Sequence, residues 1–204
     1  MNHYLIIAAR VISVIFTPFY LPLVALAALF GFSYLSLLPF SYKATVIGMV
    51  YLFTVLAPTL LIHAYRRLNG WTSRELGSKE GRTVPYIISI ACYFVCIYMM
   101  EQMRIPQFMC AILRAAILIQ VVCAVLNAWW KISTHTAAIG GVAGALVSFA
   151  AIFGFNPVRW LCVVFILGGM LGTSRMILRQ HTLSQVVGGF CVGAACAAVG
   201  VLFV

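Results

Sequence analysis

Long runs of apolar residues alternate with short polar segments along the whole chain. Seven apolar runs stand out, at 4–32, 42–65, 84–101, 105–127, 135–154, 157–173 and 184–203. Several exceed the ~18 residues that mark a membrane-spanning helix. Pro18 and Pro22 lie inside the first run and predict a kink or break there, because proline brings no N–H to the helical ladder. Asn156-Pro157 predicts a tight turn between the fifth and sixth runs. The longest polar stretch, Arg66 to Arg82, predicts a loop and is too short to fold alone. The first run is much longer than the apolar core of a cleavable signal and has no small-residue cleavage site, so it reads as a retained first span. The expected fold is all-α: a single polytopic membrane bundle over residues 1–204, with six or seven transmembrane helices.

Glycines recur at the spacing that lets helices approach closely. Gly140 and Gly144, Gly168 and Gly172, and Gly189 and Gly193 are each four residues apart, on one helix face. Counting crossings from the N-terminus brings three polar segments to one membrane side: 66–82, 128–134 and 174–183. That convergence follows from hydropathy alone.

Composition agrees with the pattern. Apolar residues make up 64% of the 204-residue chain and charged residues 8%, and the mean hydropathy is +1.10. A soluble domain of this length needs far more polar surface. The net charge is +10, from 13 Lys/Arg against 3 Asp/Glu. In a membrane chain such an excess sets topology, meets anionic head groups, or binds an anionic substrate; no nucleic-acid partner is expected. The 7 cysteines all lie in apolar segments, without a CxxC pair, and read as small packing residues. No metal site and no cofactor are expected.

The side that receives the three polar segments collects Arg66, Arg67, Arg74, Lys79, Arg82, Lys131, Arg175 and Arg179, together with His135 and His181. Arginine forks match phosphate oxygens, and histidine can attack or donate a proton near neutral pH. Two histidines among many cations therefore suit a phosphate ester. His3 and His63 read as interfacial residues, Arg66, Arg67 and Arg179 as head-group anchors, and Trp71, Trp129, Trp130 and Trp160 as an aromatic belt. Arg114 lies inside a span and is expected to face the interior or to snorkel.

Three strings carry a resemblance. Ser174-Arg175-Met-Ile-Leu-Arg-Gln-His181 fits SRxxxxxH, the core of the third motif of the type 2 phosphatidic acid phosphatase family. Lys131-Ile-Ser133-Thr134-His135 resembles the second motif, PSGH. Arg82-Thr-Val-Pro85 resembles the end of the first motif, KxxxxxxRP. The order is that of the family, and the resemblance spans residues 66–190. It implies that His181 is the nucleophile, forming a phosphohistidine. It implies that His135 protonates the leaving lipid alkoxide and then activates water. Arg175 and Arg82 would hold the equatorial phosphate oxygens. Ser133, the Thr134 N–H and Lys131 would add donors. The first-motif lysine would be Lys79 or, alternatively, Arg74; family spacing points to Glu75, which cannot serve.

The sequence departs from the pattern in three places. Isoleucine and threonine replace the proline and glycine of the second motif. Thr83 and Val84 separate Arg82 from Pro85. Gln185 stands where the family has the aspartate that orients the nucleophile. Glutamine can accept the ring N–H and fix a tautomer, but it brings no charge. The string His181-Thr-Leu-Ser-Gln185-Val-Val-Gly resembles a bacterial subgroup of the family, which implies a bacterial cytoplasmic membrane. The activity implied is metal-independent hydrolysis of a lipid phosphomonoester or pyrophosphate. The alternative is a weak or inactive member that binds or transports anionic lipid. Excluding Arg82 and Arg175, cations favour the site's side by six to three, which predicts a cytoplasmic site. A cysteine label placed within 66–82 and reached from outside would overturn that orientation.

Overall fold

The computed structural model describes residues 3–32, 34–68, 70 and 79–202, except the side chains of 32, 34 and 79–83. The protein is all-α: 86% of it is helical, and no strand occurs among the described residues. Among the described residues, seven helical stretches are long and apolar enough to cross a membrane: His3–Gly31, Phe40–Leu68, Val84–Gln102, Gln107–Leu126, Thr134–Phe153, Val158–Ile177 and Leu183–Leu202. It is thus an integral membrane protein. The many apolar side chains left exposed, such as Ile166 at 64% and Phe165 at 58%, are those that lipid would solvate.

The chain divides into two compact units. One comprises Met1–Leu21 and Arg114–Val204, the other Pro22–Leu113. In the second unit, α2 (Leu21–Phe32), α3 (Phe40–Tyr51), α4 (Ala57–Leu68) and α5 (Lys79–Gln102) precede the first part of α6 (Gln107–Leu126). A π-helical turn, Leu52–Leu56, joins α3 to α4. Its cause is Pro58: with no N–H it cannot bond the Thr54 carbonyl, and the ladder widens just before it. Val46, Val50, Tyr93, Cys96, Met100 and Met109 are buried in this unit.

In the first unit, α1 (His3–Ile15) packs on α8 (Val158–Ile177), and α7 (Thr134–Phe153) packs on α8 and α9 (Leu183–Leu202). The chain leaves α1 at Thr17, which is extended, and makes a short 3-10 turn at Pro18–Tyr20. The break expected from the prolines is there. Ile139, Ala143, Val164 and Leu171 form the core, flanked by Ile12, Phe16, Leu167 and Phe190. All three glycine pairs lie at close helix approaches. A Cβ on Gly140 or Gly144 would strike the Phe190 or Ala194 carbonyl, and one on Gly193 the Ala137 carbonyl. The α7–α9 approach is therefore a backbone-to-backbone contact that only glycine permits. On α8, a Cβ at Gly172 would stand 2.7 Å from Val186, and one at Gly168 would stand 3.3 Å from the Phe190 ring.

Two boundaries differ from the sequence expectation. Residues 66–82 are not one loop: Arg66 and Arg67 form the last turn of α4, and α5 already begins at Lys79. Cations at a helix C-terminus complement its dipole, so α4 continues past the apolar run. The sixth span likewise extends beyond 173 to Ile177 and includes Ser174 and Arg175. Its end is set by backbone capping, not hydropathy. Arg179 adopts a left-handed φ of 53°, its N–H bonds the Met176 carbonyl at 2.9 Å, and the Gln180 N–H bonds the Arg175 carbonyl at 3.1 Å. The Asn156-Pro157 turn forms as expected: Gly154 closes α7 at φ 68°, and the Asn156 side chain accepts the Val158 N–H at 3.0 Å.

All 7 cysteines are free, with Cys92, Cys96, Cys110 and Cys123 buried.

Candidate active site

Helix α7 begins where it does because Ser133 caps it. The Ser133 hydroxyl oxygen accepts the Thr136 N–H at 3.4 Å, and the Ser133 carbonyl accepts the Ala137 N–H at 2.9 Å and the Thr136 hydroxyl at 3.1 Å. These bonds use two first-turn N–H groups of α7. The N–H groups of Thr134 and His135 are the other two donors at this positive helix end. Ser133 is fully buried, and its hydroxyl hydrogen is not used by the cap.

Helix α9 begins on a capping box. Thr182 precedes the helix, and Gln185, three residues on, reaches back so that its side-chain oxygen accepts the Thr182 N–H at 3.1 Å. The Ser133 N–H also bonds the Gln185 carbonyl at 3.3 Å. The starts of α7 and α9 are thereby tied together, and His135 and His181 flank the tie.

The His135 ring interacts with Arg175 and His181 and hydrogen-bonds the Ser13 backbone. The His181 ring interacts with Arg175, Lys131 and the Gln185 side chain, and hydrogen-bonds the Lys131 backbone. Burial, then the charges of Arg175 and Lys131, pull the His181 pKa down to about 4. The acceptor contacts from Gln185 and the Lys131 backbone oppose that shift without reversing it. His181 is therefore neutral near pH 7, with a ring lone pair available. Gln185 does what glutamine can do here: it accepts hydrogen bonds and adds no charge to offset the two cations.

Arg175 donates from Nη1 to the Ser13 hydroxyl at 2.6 Å. Three buried nitrogens at this site have no hydrogen-bond partner among the described residues: Arg175 Nε, His135 Nδ1 and His181 Nδ1. Buried polar atoms are ordinarily paired, so unpaired nitrogens gathered in one place are suited to receiving a ligand's oxygens or reacting with it.

His135, His181, Arg175, Lys131, Gln185, Ser133 and Thr134 thus gather within the first unit. Lys79 and Arg82 belong to the second unit, at the start of α5; their side chains, and all of Arg74 and Glu75, lie outside the described residues. Sequence reasoning missed Ser13. Its only signal was a hydroxyl within the apolar helix α1.

The chain belongs to the PAP2 superfamily, whose family model matches residues 86–204, more than half of its length. Members of this superfamily are generally phosphatases, so membership points to a phosphatase-type function. The match contains both histidines and Arg175, and it begins after the Arg82-Thr-Val-Pro85 string. No curated protein and no solved structure matches the chain.

Proposed function

We propose that the protein hydrolyses a phosphomonoester or pyrophosphate of a membrane lipid through a phosphohistidine on His181. The observation that carries this reading is the meeting of two histidines and an arginine, each with a buried nitrogen that no group among the described residues satisfies. In the first step a neutral ring nitrogen of His181 attacks phosphorus. The N–P bond forms, the P–O bond to the lipid breaks, and His135 gives its proton to the departing lipid oxygen. In the second step His135 takes a proton from water, the water oxygen bonds phosphorus, and the N–P bond breaks. Inorganic phosphate and the starting histidine result.

Arg175 serves the equatorial oxygens as a charged donor, with Lys131 as a further cation. The Ser133 hydroxyl and the Thr134 N–H add neutral donors at the α7 N-terminus, a favourable place for phosphate. Histidine and arginine perform the attack and the charge stabilisation, so the reaction needs no metal. Position supports a lipid substrate: His135 and Arg175 lie at the ends of membrane-spanning helices, where a head group reaches the site while its chains stay in the bilayer. The membrane is the cytoplasmic membrane of a bacterium, on the subgroup resemblance of the His181–Gln185 string.

The test is phosphate release from a panel of phosphorylated lipids in detergent with EDTA. Release that survives EDTA supports the reading, and strict dependence on a divalent metal contradicts it. Gln185 favours one second reading, a member that binds anionic lipid without turning it over. Phosphorylated lipid bound but never hydrolysed would favour that reading.

A further inference from the structure

Ser13 touches both sides of the proposed reaction centre, and it comes from outside the family match. Its hydroxyl accepts from Arg175 Nη1 at 2.6 Å, across 162 positions of chain, and its backbone hydrogen-bonds the His135 ring. Its residue exposure is 6%. The backbone contact is possible because Ser13 lies in the last turn of α1, where a carbonyl has no donor four residues on within the helix. The chain turns extended at Thr17, ahead of Pro18. The break in the first span thus releases the carbonyl that reaches His135.

The hydroxyl contact orients the guanidinium. Nη1 lies on the Cδ side of the group, so using it for Ser13 leaves the opposite edge, Nε with Nη2. That edge is the two-donor fork that matches two phosphate oxygens. Nε is buried and has no hydrogen-bond partner among the described residues.

We propose that Ser13 is a positioning residue: its hydroxyl turns the Nε edge of Arg175 toward the substrate phosphate, while its backbone holds His135 beside it. The inference rests on the phosphate-site reading above. It makes α1 a part of the site as well as a membrane span.

Wild type, Ser13→Ala and Ser13→Thr are compared in detergent for inorganic phosphate affinity, for kcat and KM of lipid-phosphate hydrolysis, and for thermal midpoint. Losing a hydrogen bond that orients a charged donor weakens phosphate binding and lowers kcat, each by about tenfold, and Ser13→Thr, which keeps the hydroxyl, recovers most of both. Should Ser13→Ala not fold, Ser13→Cys takes its place with the same expectation. A lowered midpoint with phosphate affinity and kcat unchanged makes Ser13 merely structural and overturns the inference. Phosphate binding that Ser13→Ala weakens, in a wild type that hydrolyses nothing, supports the inference and overturns the hydrolase reading. A wild type that neither binds nor releases phosphate overturns both.

Discussion

Gly189→Ala places one methyl group between the starts of α7 and α9. Its Cβ would stand 2.6 Å from the Ser133 carbonyl oxygen and 2.6 Å from the Thr136 hydroxyl oxygen, where ordinary contact begins at 3.4 Å. The deficit is 3.4 − 2.6 = 0.8 Å. Neither oxygen is free to turn away. The Thr136 hydroxyl bonds the Ser133 carbonyl, which also accepts the Ala137 N–H. The first turn of α7 must therefore move as a body, carrying His135 with it. Overpacking of this kind costs about 1–3 kcal/mol of stability. A misplacement on the order of 1 Å at a reacting group costs about 10²-fold in rate. Phosphate release by Gly189→Ala is thus expected to fall about 10- to 100-fold, with a lower thermal midpoint in detergent. Gly169→Ala is the control, because nothing lies within 4 Å of its added Cβ. Equal rates and midpoints for the two variants would refute the packing argument.

Protonation of His181 provides a second test. A histidine in the unfolded chain titrates near 6.5, whereas burial and the charges of Arg175 and Lys131 pull His181 down to about 4 in the fold. Between those values the unfolded chain binds more protons. The stability tied to neutral His181 is therefore full above pH ~6.5 and is lost as pH falls through the folded value. NMR titration of the His181 ring in detergent should give a midpoint at about 4, and a midpoint near 6.5 would contradict the described burial and charges. Gln185→Glu keeps an acceptor for the Thr182 N–H and adds a negative charge beside His181. The same titration should move upward by about 1–3, and an unmoved midpoint would show that Gln185 does not act on the ring.

The membrane architecture was legible in the sequence because lipid imposes a length rule that few other constraints override. All seven spans and the break at Pro18 were readable from it. Helix ends were less legible. Hydropathy alone ends a span at the first polar residues, but Arg66, Arg67, Ser174 and Arg175 continue their helices, because a helix ends where its backbone is capped. Arg179 shows the difficulty: the left-handed cap that closes α8 falls on an arginine, not on the glycine or asparagine that would announce it.

The candidate site was readable where motif spacing supplied the residues: His135, Arg175 and His181 meet, with Lys131, Ser133, Thr134 and Gln185 around them. The fold adds that Gln185 holds a capping box as well as contacting His181. Ser13 was not readable, since no spacing relates it to a residue 162 positions away. The division into two units was likewise hidden, because both consist of similar apolar helices.

The most direct test of the central claim is to trap the intermediate. Lipid substrate labelled in its phosphate is mixed with the protein in EDTA and quenched in alkali, where phosphohistidine survives, for wild type and His181→Ala. Labelled protein is expected, with the label on His181, and neither label nor phosphate release in His181→Ala. Phosphate release that persists in His181→Ala, or label carried on another residue, would contradict the claim.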